Sequence, residues 1–178
     1  MANTTFQGPV ISKAGFYNTG PGNVVDADAD VSLTVATHAG RIVHNDDAGA
    51  VTYTLPAINA NSDSAVAGPG ADLNNLSNIG ATFTIFLSTT KAENLIVQVA
   101  NATDVMVGSA LFIDDTSDNV VGFETASDSD TITLNGSTTG GVTYAEIVCT
   151  ALASGKWKVS VTSGCTGAPA TPFSAAVS

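Results

Sequence analysis

The sequence predicts an all-β domain, an antiparallel sandwich or barrel-like fold, preceded by an extended N-terminal arm. Three observations lead there. No window of a dozen residues repeats apolar side chains three and four apart, which removes amphipathic helices from consideration. Short alternating stretches rich in Val, Thr and Ile follow one another through the chain. Turn-forming clusters separate them, at Asp47-Ala48-Gly49, at 114–119, at 127–130 and at Asn135-Gly136.

The elements are read in order. Residues 1–30 form an arm and linker, because Phe6 and Phe16 stand isolated around a Gly8-Pro9 break and nothing alternates. A β-domain over 31–163 begins with Val31-Ser32-Leu33-Thr34-Val35, then 41–44 and 51–55. Residues 58–80 are small and polar and read as a long exposed loop. Strands are expected next at Thr82–Leu87, 95–99, 105–107, 111–113, 120–123 and Thr131–Leu134. A closing hairpin joins 144–152 to 157–161 over Ala153-Ser154-Gly155-Lys156. Residues 164–178, with Pro169 and Pro172, read as an extended tail.

Of the 178 residues, 44% are hydrophobic but only 6% aromatic, so the core is built of small side chains. Such a core is thin for nine or ten strands, and the 82–87 and 105–107 stretches lack a polar face. A homotrimer that buries one such face is therefore expected. Sixteen acidic against five basic residues give a net charge of −11, which disfavours nucleic acid as a partner and favours solubility. No stretch reaches the ~18 apolar residues of a membrane span, and the start lacks a basic and an apolar signal region. Synthesis in a cytoplasm is the expectation.

Candidate chemistry is sparse. Cys149 and Cys165 match no zinc or CxxC spacing, and the closing hairpin sets Cys149 near Ser160 rather than Cys165. On one strand, His38 and His44 would stand about 20 Å apart, too far to share a metal. No hydrolase, zincin or phosphate-loop motif occurs, so no enzyme and no cofactor are expected. Asp26, Asp28 and Asp30 imitate the start of a calcium loop, but Val31 stands where the loop needs Gly and Thr37 where it needs Glu. They read as a solvated acidic link; Asp114, Asp115 and Asp118 are the other carboxylate group that a turn would gather. Trp157, flanked by Lys156 and Lys158, reads as a core anchor whose neighbours face solvent.

Three stretches carry a resemblance. The first is Thr4, Phe6, Gly8, Pro9, Val10, Ser12, Lys13, Gly15 and Phe16. The second is His38-Ala39-Gly40-Arg41-Ile42-Val43 followed by Val51-Thr52-Tyr53-Thr54-Leu55-Pro56. The third is Gly80-Ala81-Thr82-Phe83-Thr84-Ile85 with Gly155-Lys156-Trp157-Lys158-Val159 at the end. Together they resemble the head decoration or head-fibre proteins of short-tailed marine bacteriophages. The resemblance implies a trimeric β-structure on the outer capsid surface of the virion, attached to the major capsid protein by its arm. Phe6, Gly8, Pro9, Val10, Ile11, Lys13 and Phe16 would then be the capsid-binding residues. Each buried ring would contribute about 1.5–3 kcal/mol. Val10-Ile11 would add a strand to a shell sheet, and threefold symmetry would multiply the affinity. The alternative is a receptor- or glycan-binding fibre tip using 58–80 or the tail. The absence of aromatics from that loop counts against it.

Overall fold

The computed structural model describes residues 23–59, 77–117, 119–152 and 155–177. Twelve strands and one short helix are arranged in two sheets. In chain order the first strands are β1 (Val24–Asp26), β2 (Val31–Ser32), β3 (Ile42–Asn45), β4 (Val51–Thr54), β5 (Thr82–Leu87) and β6 (Leu95–Gln98). Then come β7 (Val105–Asp114), β8 (Asn119–Glu124), β9 (Thr131–Leu134), β10 (Glu146–Ala151), β11 (Lys156–Cys165) and β12 (Phe173–Ser174). One sheet has the order β1-β3-β5-β10-β11-β7-β8 and the other β12-β9-β6-β4-β2.

The expected antiparallel pairing is corrected by this order. Both sheets are mixed, and neither closes into a barrel. The reason is that the chain changes sheet at every step from β1 to β6. Strands two apart in sequence therefore lie side by side and run the same way: β1, β3 and β5 in one sheet, β2, β4 and β6 in the other. These six strands wind as a coil of three rungs. The antiparallel pairs belong to the second half, in the hairpins β7–β8 and β10–β11 and the contacts of β5 with β10, β6 with β9, and β9 with β12.

The inner faces follow the period-two alternation of the sequence. Phe83, Ile85 and Leu87 of β5 and Trp157, Val159 and Val161 of β11 point inward from the larger sheet. Tyr53, Leu95, Val97, Ile132 and Leu134 point inward from the smaller one, and all join a single core cluster. Trp157 is the expected core anchor: it is fully buried and packs edge-on to Phe83 at 5.7 Å between ring centres. Among the described residues its indole N–H has no hydrogen-bond acceptor.

Several boundaries differ from the sequence reading. The sheet begins at Val24 rather than Val31, because β1 pairs with β3. Phe173–Ser174, inside the expected tail, pairs with β9 and places Phe173 in the core. The stretch after Ser32 turns into a one-turn helix, α1 (Val35–His38), whose first turn is capped by the Thr34 side chain accepting from the Thr37 N–H. Residues 105–107 and 111–113 belong to one strand, paired in parallel with β11 along its whole length. Glycine permits this: a Cβ on Gly108 would lie 1.8 Å from the Val159 carbonyl oxygen.

Three outcomes are expected. Gly108→Ala forces β7 from β11 and lowers the thermal midpoint by several degrees. Trp157→Ala costs about 3–5 kcal/mol in denaturant unfolding. Trp157→Phe costs less than about 2 kcal/mol, because removing the unpaired N–H offsets part of the lost packing.

Candidate assembly face and its acidic edge

The register of the larger sheet assigns every outward side chain to a row. One row runs Val24, Ile42, Thr84, Val148, Ser160, Ser109, Glu124. The next runs Asp26, His44, Phe86, Glu146, Thr162, Leu111, Gly122. Beyond them lie Ile113 opposite Val120 on one side and Val107 opposite Lys158 on the other. Leu111, Ile113 and Val120 are 50–67% exposed and form an aliphatic patch at the β7–β8 end, and Val107, 47% exposed, stands apart from them across Ser109. At the opposite edge Val24 and Ile42 are also exposed. Charges on this face are few: Lys156 and Lys158 stand against Asp26, Glu124 and Glu146.

The outward face of the smaller sheet is chemically different. Its paired positions are Ser32, Thr54, Gln98, Thr131 and Ser174, then Thr52, Ile96 and Thr133. A depression of about 250 Å³ beside it is lined by Asp30, Val31, Ser32, Thr52 and Thr54.

The Asp26/Asp28/Asp30 run is exposed, as a solvated link would be, but it is also tied to the domain. Each carboxylate has its own protein partner. Asp26 Oδ1 lies 2.6 Å from His44 Nδ1, Asp28 Oδ1 accepts the Asp46 N–H at 3.1 Å, and Asp30 Oδ1 accepts the Thr52 N–H at 2.7 Å. Separate partners, His44 on β3, Asp46 beyond it and Thr52 on β4, keep the three from converging. Asp114 accepts the Thr116 N–H at 2.9 Å and the Ser117 hydroxyl, which hold its carboxyl below the usual range. Asp118 lies outside the described residues. Among the described residues, no group of three or more His, Cys, Asp or Glu side chains is placed to hold a metal ion.

The histidines are separated by the fold rather than by one strand's length. His38 ends α1, buried, with its Nδ1 accepting the Thr34 N–H at 3.0 Å. His44 lies between Asp26 and Ser88, its Nε2 2.8 Å from the Ser88 hydroxyl. Ser88, His44 and Asp26 thus form the hydrogen-bond order of a hydrolytic triad. Separations of 44 and 18 positions hide this row from a reading of local motifs. The Asp26 side chain is 74% exposed, so water competes for the carboxylate that a triad needs to hold its imidazole. What the row does here is tie β1 to β3 and to the end of β5.

Both cysteines are free and buried. Cys149 pairs in register with Val159, next to the position expected for it, and burial pushes its thiol up to about 12. The proposed arm contacts Phe6, Gly8, Pro9, Val10, Ile11, Lys13 and Phe16 lie outside the described residues, as does most of the 58–80 loop. The base of that loop is clamped: the Asn59 N–H donates to Asn78 Oδ1 at 2.8 Å, and Asn78 Nδ2 donates to the Ala57 carbonyl at 2.8 Å. No protein-family model, curated protein or solved structure matches this chain.

Two measurements check this account of the acidic edge. A chelator leaves the thermal midpoint unchanged, whereas a calcium-restored loss would mean that these carboxylates meet on an ion. A fluorophosphonate probe leaves Ser88 unlabelled, and Asp26→Asn costs less than about 1 kcal/mol; Ser88-dependent labelling would make the row catalytic.

Proposed function

We propose that this is a non-enzymatic structural protein that works by binding other protein surfaces: a trimeric decoration or fibre protein on the outer face of a phage head. The observation that carries the assembly part is the outward face of the larger sheet. An isolated copy would leave Val107, Leu111, Ile113 and Val120 in water on one flat surface. A net charge of −11 makes copies repel. This face carries little of that charge, because Lys156 and Lys158 offset two of its three carboxylates. A second copy is therefore its best-suited occupant.

The phage part rests on the resemblance carried by the arm motif and the strand sequence after it. The location of β1 agrees with an attachment role. Among the described residues it is the edge strand of the larger sheet, so the arm joins the domain at that edge.

Two experiments test the proposal. Sedimentation equilibrium of the full chain gives a trimer, and Leu111→Lys combined with Ile113→Lys gives a folded monomer. A wild-type chain that stays monomeric at micromolar concentration would sink the trimer. Deletion of residues 1–22, ending before β1, leaves a folded domain that no longer co-sediments with undecorated heads. Phe6→Ala and Phe16→Ala each weaken attachment without moving the thermal midpoint. Full occupancy by the truncated protein would place the docking surface on the β-domain itself.

A further inference from the structure

Lys91 and Asn45 form a buried pair for which neither the core nor the assembly face has a use. Their exposures are 2% and 0%. Lys91 lies in the connection from β5 to β6, and Asn45 ends β3. Lys91 Nζ is 3.2 Å from Asn45 Oδ1 and 2.6 Å from the Asp47 carbonyl oxygen. The other side of the same amide faces acceptors: Asn45 Nδ2 donates to the Ala27 carbonyl at 3.0 Å and to Asp28 Oδ1 at 3.4 Å. The amide is thereby oriented with its carbonyl toward the amine and its nitrogen toward a carboxylate.

We propose that Lys91 and Asn45 become joined by an intramolecular isopeptide bond, through attack of the lysine amine on the asparagine side-chain carbonyl carbon. The chemistry needs an amine with a free lone pair, a polarised amide and a carboxylate to move a proton. Burial lowers the Lys91 pKa, although the charges of Asp47, Asp28 and Glu93 oppose this. Asp28 is exposed and adjoins the leaving nitrogen, and its hydrogen bond and charge hold the neighbouring Asp46 carboxyl above the usual range. A carboxylate that can relay a proton thus stands beside the reacting amide.

The step balances without any oxidant or cofactor. The lysine ammonium gives one proton to the Asn45 carbonyl oxygen it already donates to, the freed lone pair forms the Nζ–Cγ bond, and Asp28, beside Nδ2, relays that proton to the leaving nitrogen. A second proton leaves Nζ as the tetrahedral centre collapses, and the Cγ–Nδ2 bond breaks. The departing nitrogen takes up both protons and leaves as ammonium on the Asp28 side, which opens to solvent. The product is a secondary amide linking the second and third rungs of the coil.

Intact-mass spectrometry of the full chain tests this directly. After correction for any removal of Met1, the expected mass is about 17 Da below the sequence mass, the loss of one ammonia. A protease digest yields a branched peptide containing residues 45 and 91, with no cleavage after Lys91. The peptide map separates this from succinimide formation at Asn135-Gly136, which loses the same mass without a branch. Lys91→Arg and Asn45→Ala restore the full sequence mass and lower the thermal midpoint, and Asp28→Ala leaves both partners unjoined. A wild-type chain at full sequence mass, whose unfolded Lys91 amine is acetylated by a small reagent, would overturn the proposal whether or not any variant folds.

Discussion

A chain that crosses repeatedly between two sheets must satisfy the backbone N–H groups it strands at the rims, where no neighbouring strand can accept them. Here carboxylates do so. Asp28 accepts from Asp46, Asp30 from Thr52, Glu93 from Ala50, Asp104 from Ile58, Asp114 from Thr116, and Asp130 from Ala176 and Val177. Asp104, Asp114 and Asp130 are buried while doing it. An unpaired buried amide costs about 1–3 kcal/mol, so these contacts decide whether the crossings are tolerable. Part of the acidity that composition assigns to solubility is therefore internal architecture. A carboxylate suits the task because its two oxygens accept several bonds at once, and Asp130 uses both on one C-terminal segment.

Much of the strand content was legible because alternation is a local signal. Thr82–Leu87 and Thr131–Leu134 fall where the pattern puts them, and Trp157 takes the core position its flanking lysines imply. Parallel pairing was not legible. Whether the strand after a turn returns to its own sheet or crosses to the other depends on rim contacts between residues far apart, such as Asp30 with Thr52. Short strands such as β1 and β12 carry too few residues to show a period. The Asp26–His44–Ser88 row and the Lys91–Asn45 pair were hidden for the same reason. Lys91 sits in Thr89-Thr90-Lys91-Ala92-Glu93, which reads as an ordinary polar connection, and only the fold shows it buried.

The two outward faces show what the alternation leaves free. Inward positions of both sheets must be apolar, whereas outward positions are constrained only by what they meet. On the smaller sheet they are mostly hydroxyl and amide side chains. On the larger sheet, Val24, Ile42, Phe86, Val148, Leu111, Ile113 and Val120 recur outward among threonines and serines. Strand propensity alone accounts for neither distribution, since both faces have the same backbone. That difference is the observation on which the proposed assembly rests.

The same assembly explains why a covalent tie would sit where Lys91 and Asn45 meet. A pull on the arm would reach the domain through β1, three residues long and, among the described residues, an edge strand with one neighbour. Parallel pairing over so few residues is weak. Asp26 and Asp28 strengthen it from the side, clamping β1 to His44, Asn45 and Asp46 at the end of β3. The Tyr53 hydroxyl, donating to the Ala27 carbonyl, secures the same segment from the other sheet. Load passed to β3 would next have to cross to the third rung. That crossing is where the lysine amine meets the asparagine amide, so an amide bond there would replace a buried hydrogen bond on the path with a covalent link.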